Sequence, residues 1–334
     1  ICLSGLIYWT LCDRKYYGII KSGGDGLDAS IIIAAYNRKD LLAVCMRCFD
    51  KQDYSFRDFE VIVVDDGSTD GSVDMVKAWP AHYDLRCIAS GHQGPGPARN
   101  LGVASASGDI VIFIDSDAFV PPWFISEHMR SHRKAVVPVF VDGPAIYVSG
   151  RENMEHQPFT SWVIRAQAFL DFFGVPFVTV NVSCPRKHFL QVGGFDERFG
   201  KAYGFQDIEL GVRLDQAGVG CVRNRRAYVL HHTDGTPTLE TEMKKRRERG
   251  ATAAIFYGKY PLPQVKKFIH WGRLKWDNRF AQWGLLKWAT MERATVMKQS
   301  GHFLYPVVRK ILMTHLYASA LRKGLEGAGI PLEE

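Results

Sequence analysis

Two carboxylates, Asp115 and Asp117, stand where a predicted strand ends, with Ser116 between them. The preceding run, residues 110–114, reads Ile-Val-Ile-Phe-Ile and is typical of a buried strand. A hard cation such as Mg²⁺ commonly uses one or two protein carboxylates and leaves its other positions to phosphates and water. The pattern therefore predicts a divalent metal site that holds a diphosphate. A polar turn after a strand is the alternative for an isolated Asp-x-Asp.

The elements that must position these carboxylates alternate between β-branched runs and helical patterns, which predicts βαβ units and a mainly parallel sheet flanked by helices. Right-handed crossovers gather the carboxyl ends of such strands at one edge, where ligands bind. The predicted strands cover residues 30–35, 59–65, 85–89 and 109–114, and the predicted helices cover 39–49, a stretch from about 70, and 98–105.

Beyond residue 121 the pattern becomes mixed. It predicts strand-like segments at 135–141, 177–182 and 222–230, and helices near 161–172 and 207–216. After residue 236 the chain reads as helical, with a break at Pro261-Leu262-Pro263. The predicted fold class is α/β with a helical, basic C-terminal region.

The charge is unevenly distributed. Residues 244–323 contain 18 Lys and Arg against 3 Asp and Glu, whereas the remainder contains 24 basic and 32 acidic residues. A basic tail on an acidic body indicates contact with an anionic surface, which is phospholipid, nucleic acid or a charged glycan. A solvated helical face is the plain alternative.

Four tryptophans, Trp271, Trp276, Trp283 and Trp288, are interleaved with Lys and Arg in this tail. The combination suits a lipid headgroup interface, and the alternative is a helical cap with the indoles packed inward. Residues 1–12 are apolar but too short to span a bilayer, which needs about 20 residues. We expect peripheral contact with an anionic membrane and no nucleic-acid partner.

Seven cysteines form an odd set without a framework of spacings, which predicts mostly reduced, buried thiols in a cytosolic protein. Cys45 and Cys48 lie in a helical pattern, and no second pair completes a zinc site. The expected location is cytoplasmic, peripheral at the inner face of the plasma membrane.

Six short motifs, in their order along residues 28–232, resemble those of the family 2 glycosyltransferases of GT-A fold. They are Ala35-Tyr36-Asn37, Asp65-Asp66-Gly67-Ser68-Thr69-Asp70, Ala98-Arg99-Asn100-Leu101-Gly102, Asp115-Ser116-Asp117, Gly193-Gly194-Phe195-Asp196-Glu197 and Gln206-Asp207-Ile208-Glu209. The resemblance implies inverting transfer of a sugar from a UDP-sugar to a hydroxyl of a glycan or lipid-linked acceptor. We predict an N-terminal extension or anchor stub over 1–27, a GT-A catalytic domain over 28–235 and a helical, basic, aromatic-rich region over 236–334.

The resemblance implies a nucleotide-sugar site made of Ala35, Tyr36, Asn37, Asp66, Arg99, Asp115 and Ser116. Tyr36 would offer its ring to the base, and Asp66 would accept the imide N–H of uracil unless it caps the following turn. Arg99 would reach the diphosphate or brace the aspartates, and the alternative is an ion pair with Asp65 or Asp109.

The same resemblance implies that Asp117 ligates Mn²⁺ or Mg²⁺, while Asp115 binds ribose directly or through the metal. His231 and His232 end the last predicted strand, and either imidazole would suit the metal or the phosphates. Ordinary polar surface is the alternative for this histidine pair.

The base that takes the acceptor proton maps onto Asp207, with Glu209 as the second candidate. Gln206 departs from the family pattern, which has glutamate there. A helix N-terminus tends to lower the pKa of a nearby carboxylate, and neutral Gln206 removes the like charge that would raise it. We therefore expect an unraised pKa at Asp207.

Three other functions compete with this interpretation. A sugar nucleotidylyltransferase would need a Gly-rich loop after the first strand, and residues 35–40 contain no glycine. A nucleic-acid-binding protein would use the basic tail but leave the carboxylates without a role. A non-catalytic glycan-binding relative differs from an enzyme only in an assay.

Overall fold

The structure is a computed structural model that describes residues 27–149, 159, 177–233 and 237–332. Two compact units make up the chain, the first from residues up to 201 with 207–235 and the second from 202–206 with 236–334. Apart from residue 27, the predicted N-terminal extension lies outside the described residues. The helix predicted near 161–172 also lies outside them.

The first unit is built on ten described strands and six helices, the last of which begins at the boundary between the units. The strands are β1 (Ala29–Ala35), β2 (Phe59–Asp65), β3 (Asp84–Ala89), β4 (Ile110–Asp115), β5 (Ala118–Phe119), β6 (Val139–Asp142), β7 (Ala145–Ser149), β8 (Asn181–Pro185), β9 (Gly220–Arg223) and β10 (Val229–Thr233). The helices are α1 (Lys39–Phe49), α2 (Ser72–Lys77), α3 (Pro95–Ser105), α4 (Phe124–Lys134), α5 (Arg186–Gln191) and α6 (Gln206–Gln216).

A seven-stranded sheet with the order β3-β2-β1-β4-β8-β6-β9 forms the centre of this unit. Strands β3, β2, β1 and β4 are parallel, β8 is antiparallel to both of its neighbours, and β6 is parallel to β9. A smaller sheet has the order β5-β10-β7. The predicted α/β fold with a mainly parallel sheet is confirmed.

The central strands are buried on both faces, which explains their uninterrupted apolar runs. In β1, Ile31 and Ile33 pack into one hydrophobic core, whereas Ile32 packs into the core on the other face. In β4, Ile112 and Phe113 divide between the two cores in the same way. These packed strands hold the residues at their carboxyl ends at a fixed edge of the sheet.

The segment 222–230, predicted as one strand-like run, is wrong as a single element. It contains the end of β9 and the start of β10, which belong to different sheets. The chain turns at Asn224, whose amide group donates to the backbone carbonyl of Glu127 at 3.0 Å and to the hydroxyl of Ser131 at 2.9 Å. The turn therefore depends on contacts with α4, which no local pattern reveals.

Two other predicted segments are shorter than expected. Only the end of 135–141 is extended, in β6, and Pro138 immediately precedes that strand. In the segment 177–182, Phe177 has a φ of 64°, outside the extended region, so β8 begins only at its fifth residue.

The second unit is helical, as predicted. Its helices are α7 (Leu239–Lys259), α8 (Pro263–Phe268), α9 (Gly272–Gln282), α10 (Leu285–Trp288), α11 (Met291–Gln299) and α12 (Tyr305–Gly327). Helices α7 and α12 pack closely because Gly250 has no side chain, and a Cβ there would lie 2.3 Å from the carbonyl oxygen of Tyr317. The predicted break at residues 261–263 separates α7 from α8.

The described helices include none with the length and apolar character needed to cross a membrane. Cys45, Cys48, Cys87 and Cys184 are free thiols, in line with the expected reduced set, whereas Cys221 is disulfide-bonded. Cys48 donates its S–H to the carbonyl oxygen of Val44, as expected for a helical thiol that serves packing.

Candidate active site

Asp115 is the last residue of β4, and a buried arginine holds its carboxylate in place. Arg99 Nη2 donates to Asp115 Oδ1 at 2.8 Å, and the Arg99 guanidinium lies 5.8 Å from the ring centroid of Phe195. Arg99 therefore braces the aspartate cluster, which was one of its predicted roles. The alternative ion pairs with Asp65 or Asp109 do not form.

Asp117 follows two residues later, and its carboxylate contacts the same imidazole as Asp115, that of His231. His231 Nε2 lies 3.2 Å from Asp117 Oδ1 and 3.6 Å from Asp115 Oδ2. One ligand atom from each of the three residues lies within 4.8 Å of the others, which suits a single divalent cation. Arg38 Nη1 lies 3.7 Å from Asp117 Oδ2 on its other side.

The protonation states in this cluster follow from mutual contact. Burial alone would lower the pKa of His231, but hydrogen bonds to Asp115 and Asp117 and their negative charge raise it to about 9. Burial alone would raise the pKa of Asp115, but His231 and Arg99 outweigh that effect and hold this pKa below its usual value. The protonated imidazole thus offsets part of the negative charge of the two carboxylates, and it would lose its proton on ligating a cation there.

The two histidines of β10 have different positions. His231 pairs with Ala118 of β5 and Tyr147 of β7, and its side chain joins the aspartates. Successive side chains of a strand point to opposite faces, so His232 does not join that cluster. Its backbone N–H donates to the carbonyl oxygen of Asp117 at 2.9 Å and ties the strand to the Asp-Ser-Asp turn.

Asp207 lies in the first turn of α6 with one carboxylate oxygen engaged and one unengaged. Oδ2 accepts from Thr179 N at 3.4 Å and from Thr179 Oγ1 at 3.1 Å. Oδ1 is buried and has no hydrogen-bond partner in the described part of the chain.

The pKa of Asp207 lies above its usual value. Burial raises this pKa, and the charge of Asp115 adds to the rise, while Arg99 and the Thr179 hydrogen bonds oppose it. The expectation of an unraised pKa is therefore wrong, because burial outweighs the opposing contributions of Arg99 and Thr179. Asp207 therefore lies close enough to Asp115 and Arg99 for their charges to shift its pKa.

Glu209, the second candidate for the base, has a structural role. Its side chain is fully buried, and Arg213 donates to both carboxylate oxygens at 2.8 and 2.6 Å. A carboxylate held in this way favours a structural role for Glu209 and leaves Asp207 as the stronger candidate for the base.

An aromatic shelf, formed by Tyr36 and His92, lies at the carboxyl ends of β1 and β2. The two rings stack with centroids 4.5 Å apart and an interplanar angle of 29°. Tyr36 keeps 46% of its surface exposed, so an open ring face remains. His92 Nδ1 lies 2.9 Å from the backbone carbonyl oxygen of Asp66, which fixes the shelf to the end of β2.

The Asp66 carboxylate is engaged by the loop between β3 and α3. Oδ1 accepts from Ser90 Oγ at 2.6 Å and from Gln93 N at 2.8 Å, and Oδ2 accepts from Gly94 N at 2.9 Å. A carboxylate has about four acceptor positions, so one is left for a ligand. Asp66 therefore organises the loop that carries His92.

Three other predicted residues support the same edge. Asn37 has a φ of 49°, and its Oδ1 accepts from Thr69 N at 2.8 Å, which joins the loops after β1 and β2. The carbonyl oxygen of Ala35 accepts from Asp66 N at 2.8 Å. Ser116 is buried between the two aspartates of the cluster.

Sequence reasoning missed Arg38, His92 and Thr179. Arg38 adjoins a motif that the sequence offered, and its basic side chain after β1 was a usable signal. His92 and Thr179 lie in loops without a distinctive pattern. Only the folded chain shows that they contact Tyr36 and Asp207.

Comparisons with known proteins agree with this architecture. Residues 30–187 match the profile of Glycosyl transferase family 2. The Uncharacterized glycosyltransferase YfnE of Bacillus subtilis (strain 168) is 29% identical over 258 residues, which cover 62% of this chain and 65% of that protein. The matched part thus spans just under two thirds of that relative.

Two solved structures share the fold. The mannosyltransferase PcManGT from Pyrobaculum calidifontis, in complex with GDP-Man and Mn²⁺, has a TM-score of 0.59 at 17% identity and covers 96% of this chain and 92% of its own. S. aureus TarS 1-349, in complex with UDP-GlcNAc, has a TM-score of 0.53 at 14% identity, with coverages of 90% and 92%. The profile match identifies residues 30–187 as a glycosyltransferase family 2 domain, and the two solved structures share its GT-A fold.

Proposed function

We propose that this chain is an inverting glycosyltransferase that moves a sugar from a UDP-sugar to a hydroxyl of a glycan or lipid-linked acceptor. One observation carries the proposal: Asp115 of the Asp115–Asp117–His231 cluster also contributes to the raised pKa of Asp207, whose second carboxylate oxygen is buried and unengaged within the described residues. The three side chains of the cluster suit a leaving diphosphate, and the Asp207 oxygen suits an attacking hydroxyl.

The aspartate cluster is the proposed metal site. Asp115, Asp117 and His231 supply two carboxylates and one imidazole, a mixed donor set that suits Mn²⁺ and also permits Mg²⁺. When bound there, such a cation would neutralise the charge that grows on the diphosphate as the glycosidic bond breaks. Arg99 keeps Asp115 oriented toward that site through its 2.8 Å contact.

Asp207 is the proposed base. Its unengaged Oδ1 takes the proton of the acceptor hydroxyl while that oxygen attacks the anomeric carbon and the bond to the UDP phosphate breaks. The hydroxyl proton ends on Asp207, and the electron pair of the broken bond leaves with UDP. A raised pKa suits this role, because a stronger base takes a hydroxyl proton more readily.

The aromatic shelf is the proposed seat of the uracil ring. The open face of Tyr36 offers a stacking surface, and the remaining acceptor position of Asp66 offers a partner for the imide N–H. Ala35 and Asn37 fix the backbone at this edge through their hydrogen bonds to the loop after β2, and Ser116 lies buried between the two aspartates. The TarS complex with UDP-GlcNAc supports uridine as the nucleotide.

We also propose that the protein contacts an anionic membrane from the cytoplasmic side. Trp276 and Trp283 in the second unit are 48% and 61% exposed, whereas Trp271 is buried. Exposed indoles beside Lys275, Arg279 and Lys287 support a headgroup contact. Flotation with phosphatidylglycerol vesicles tests this: Trp276→Ala/Trp283→Ala should reduce binding, and unchanged binding would exclude the contact.

A transfer assay tests the proposed function. Purified protein with Mn²⁺ is screened against UDP-sugars, and sugar release or transfer is measured by UDP formation. Asp117→Asn should abolish the activity, and the exposed Asp53→Asn, which removes the same charge elsewhere, should retain it. Full activity in EDTA would contradict the metal role, and UTP formation from UDP-sugar and pyrophosphate would instead identify a nucleotidylyltransferase.

A further inference from the structure

The second unit contains a cationic pocket that the proposed chemistry does not use. It has a volume of about 170 Å³, which exceeds the roughly 30 Å³ occupied by one water and accommodates a polyatomic anion. Its lining residues are Tyr203, Glu242, Lys245, Arg246, Arg249 and Arg309. Four of the six are cations and one is an acid.

The single carboxylate of the cationic pocket, Glu242, is already paired with an arginine. Arg309 donates to both oxygens of Glu242, at 2.8 and 2.6 Å, and this pair is charge-balanced. Arg246 and Arg249 form no ion pair with any described residue; Arg249 lies 5.3 Å from the ring centroid of Phe205 instead. The four cations of the pocket outnumber its one carboxylate, so the pocket carries a net positive charge.

The positive charge of the pocket lowers the pKa values of two neighbouring side chains. The pKa of Arg273 is lowered by burial and, in addition, by repulsion from Arg246 and Arg249. The pKa of His270 is lowered by burial and by repulsion from the same three arginines. An anion in the cationic pocket would relieve this repulsion, which favours binding.

Tyr203 adds an apolar surface next to the charge. Its ring is 48% exposed, and Lys245 Nζ lies 5.4 Å from the ring centroid. The backbone N–H of Tyr203 donates to Glu248 Oε2 at 3.1 Å, which fixes the residue to α7. In the chain, Tyr203 stands four residues before Asp207, the proposed acceptor-side base.

We propose that the cationic pocket binds a phosphate ester of the acceptor, with the sugar or polyol next to that phosphate lying on Tyr203. Arginine donates bidentate hydrogen bonds to phosphate, and an aromatic face packs against the carbons of a polyol. The inference rests on the proposed function, because only a transferase needs an acceptor. It narrows the acceptor to a phosphorylated glycan, polyol or lipid-linked sugar.

Calorimetric titration with glycerol 3-phosphate tests this in EDTA, where the aspartate cluster holds no cation, and glycerol is the uncharged control. Arg246→Gln/Arg249→Gln should weaken binding about tenfold or more. The matched control, Lys244→Gln/Arg247→Gln, removes two charges from exposed positions of the same helix and should change binding less than about twofold.

Flotation with phosphatidylglycerol vesicles distinguishes the sources of the phosphate. Loss of vesicle binding in the arginine double variant, together with loss of glycerol 3-phosphate binding, supports a lipid-linked acceptor. Loss of glycerol 3-phosphate binding alone supports a soluble or polymeric one. No binding to the wild type, or an equal effect of the two double variants, would overturn the proposal.

Two further measurements keep the result decisive. If the double variant melts abnormally because Arg249 no longer packs on Phe205, the single Arg246→Gln should still weaken binding about threefold. UDP binding with Mn²⁺ should be the same in all variants. A wild type that binds glycerol 3-phosphate but transfers no sugar refutes the proposed function and leaves the phosphate site standing.

Discussion

Replacing Asp207 and Glu209 by their amides should separate chemistry from folding. The two carboxylates lie two residues apart on α6, and each change removes one negative charge with little change in shape. Asp207→Asn removes the proposed base. General-base catalysis contributes about 10²- to 10⁴-fold, so the kcat should fall by that factor, or roughly 3–5 kcal/mol in activation free energy.

Asp207→Asn should not destabilise the protein. The folded pKa of Asp207 lies above its unfolded value, so its contribution to stability is present at low pH and is lost as the pH rises through the folded pKa. Above that folded pKa, the ionised side chain opposes folding. The amide should therefore leave the melting temperature unchanged or raise it.

Glu209→Gln should instead lower the stability of the protein and leave its activity nearly unchanged. The fully buried carboxylate receives both hydrogen bonds from Arg213, and breaking a buried pair costs about 3 kcal/mol at the lower end of the usual range. That loss lowers the melting temperature by about 6–12 °C for a domain of this size. The kcat per folded molecule should change less than about threefold.

Thermal unfolding and steady-state transfer, measured on both variants at pH 7, test whether Asp207 serves catalysis and Glu209 serves stability. The reasoning is refuted if Glu209→Gln loses the kcat while its stability is retained. It is equally refuted if Asp207→Asn keeps more than about a tenth of the wild-type kcat.

Three other predictions follow from described contacts. Burial lowers the pKa of His128 to about 4 and of His132 to about 3, so the stability that these neutral rings contribute is present above pH 6.5 and lost on acidification. Between pH 6.5 and 5 the unfolding free energy should drop by about 2 kcal/mol for each histidine. His128→Gln/His132→Gln should flatten that pH dependence in a series of thermal melts. Gly102→Ala places a Cβ 2.6 Å from Ile32 Cγ2 and should cost about 1–3 kcal/mol in urea unfolding, while an unchanged midpoint would show that α3 shifts freely. Tyr36→Ala should weaken UDP binding in calorimetry by about 1–3 kcal/mol if its ring carries the base, and unaltered affinity would remove the aromatic shelf from the site.

The parallel half of the fold was predictable because its strands are buried on both faces. The predicted segment 59–65 coincides with β2, and 30–35 and 109–114 lie within one residue of β1 and β4. The error at 222–230 has a different origin. Its division depends on side-chain contacts between Asn224 and α4, and such tertiary contacts leave no periodic pattern.

Position in the candidate site was easier to predict than environment. The edge of a parallel sheet explains why Asp115 and Asp117 meet, but the choice of His231 over His232 required the pairing of β10 with β5. The pKa of Asp207 was misjudged because burial depends on the whole fold, whereas the helix terminus is visible locally. The contact between Glu209 and Arg213, one turn away on the same helix, favours a structural role for this carboxylate.

Locating bound Mn²⁺ by anomalous diffraction from crystals grown with UDP tests the central claim most directly. One Mn²⁺ per chain should appear in contact with Asp117 and His231, next to the UDP diphosphate. UDP bound at the end of β4 without Mn²⁺, or Mn²⁺ bound away from Asp115, Asp117 and His231, would contradict the claim.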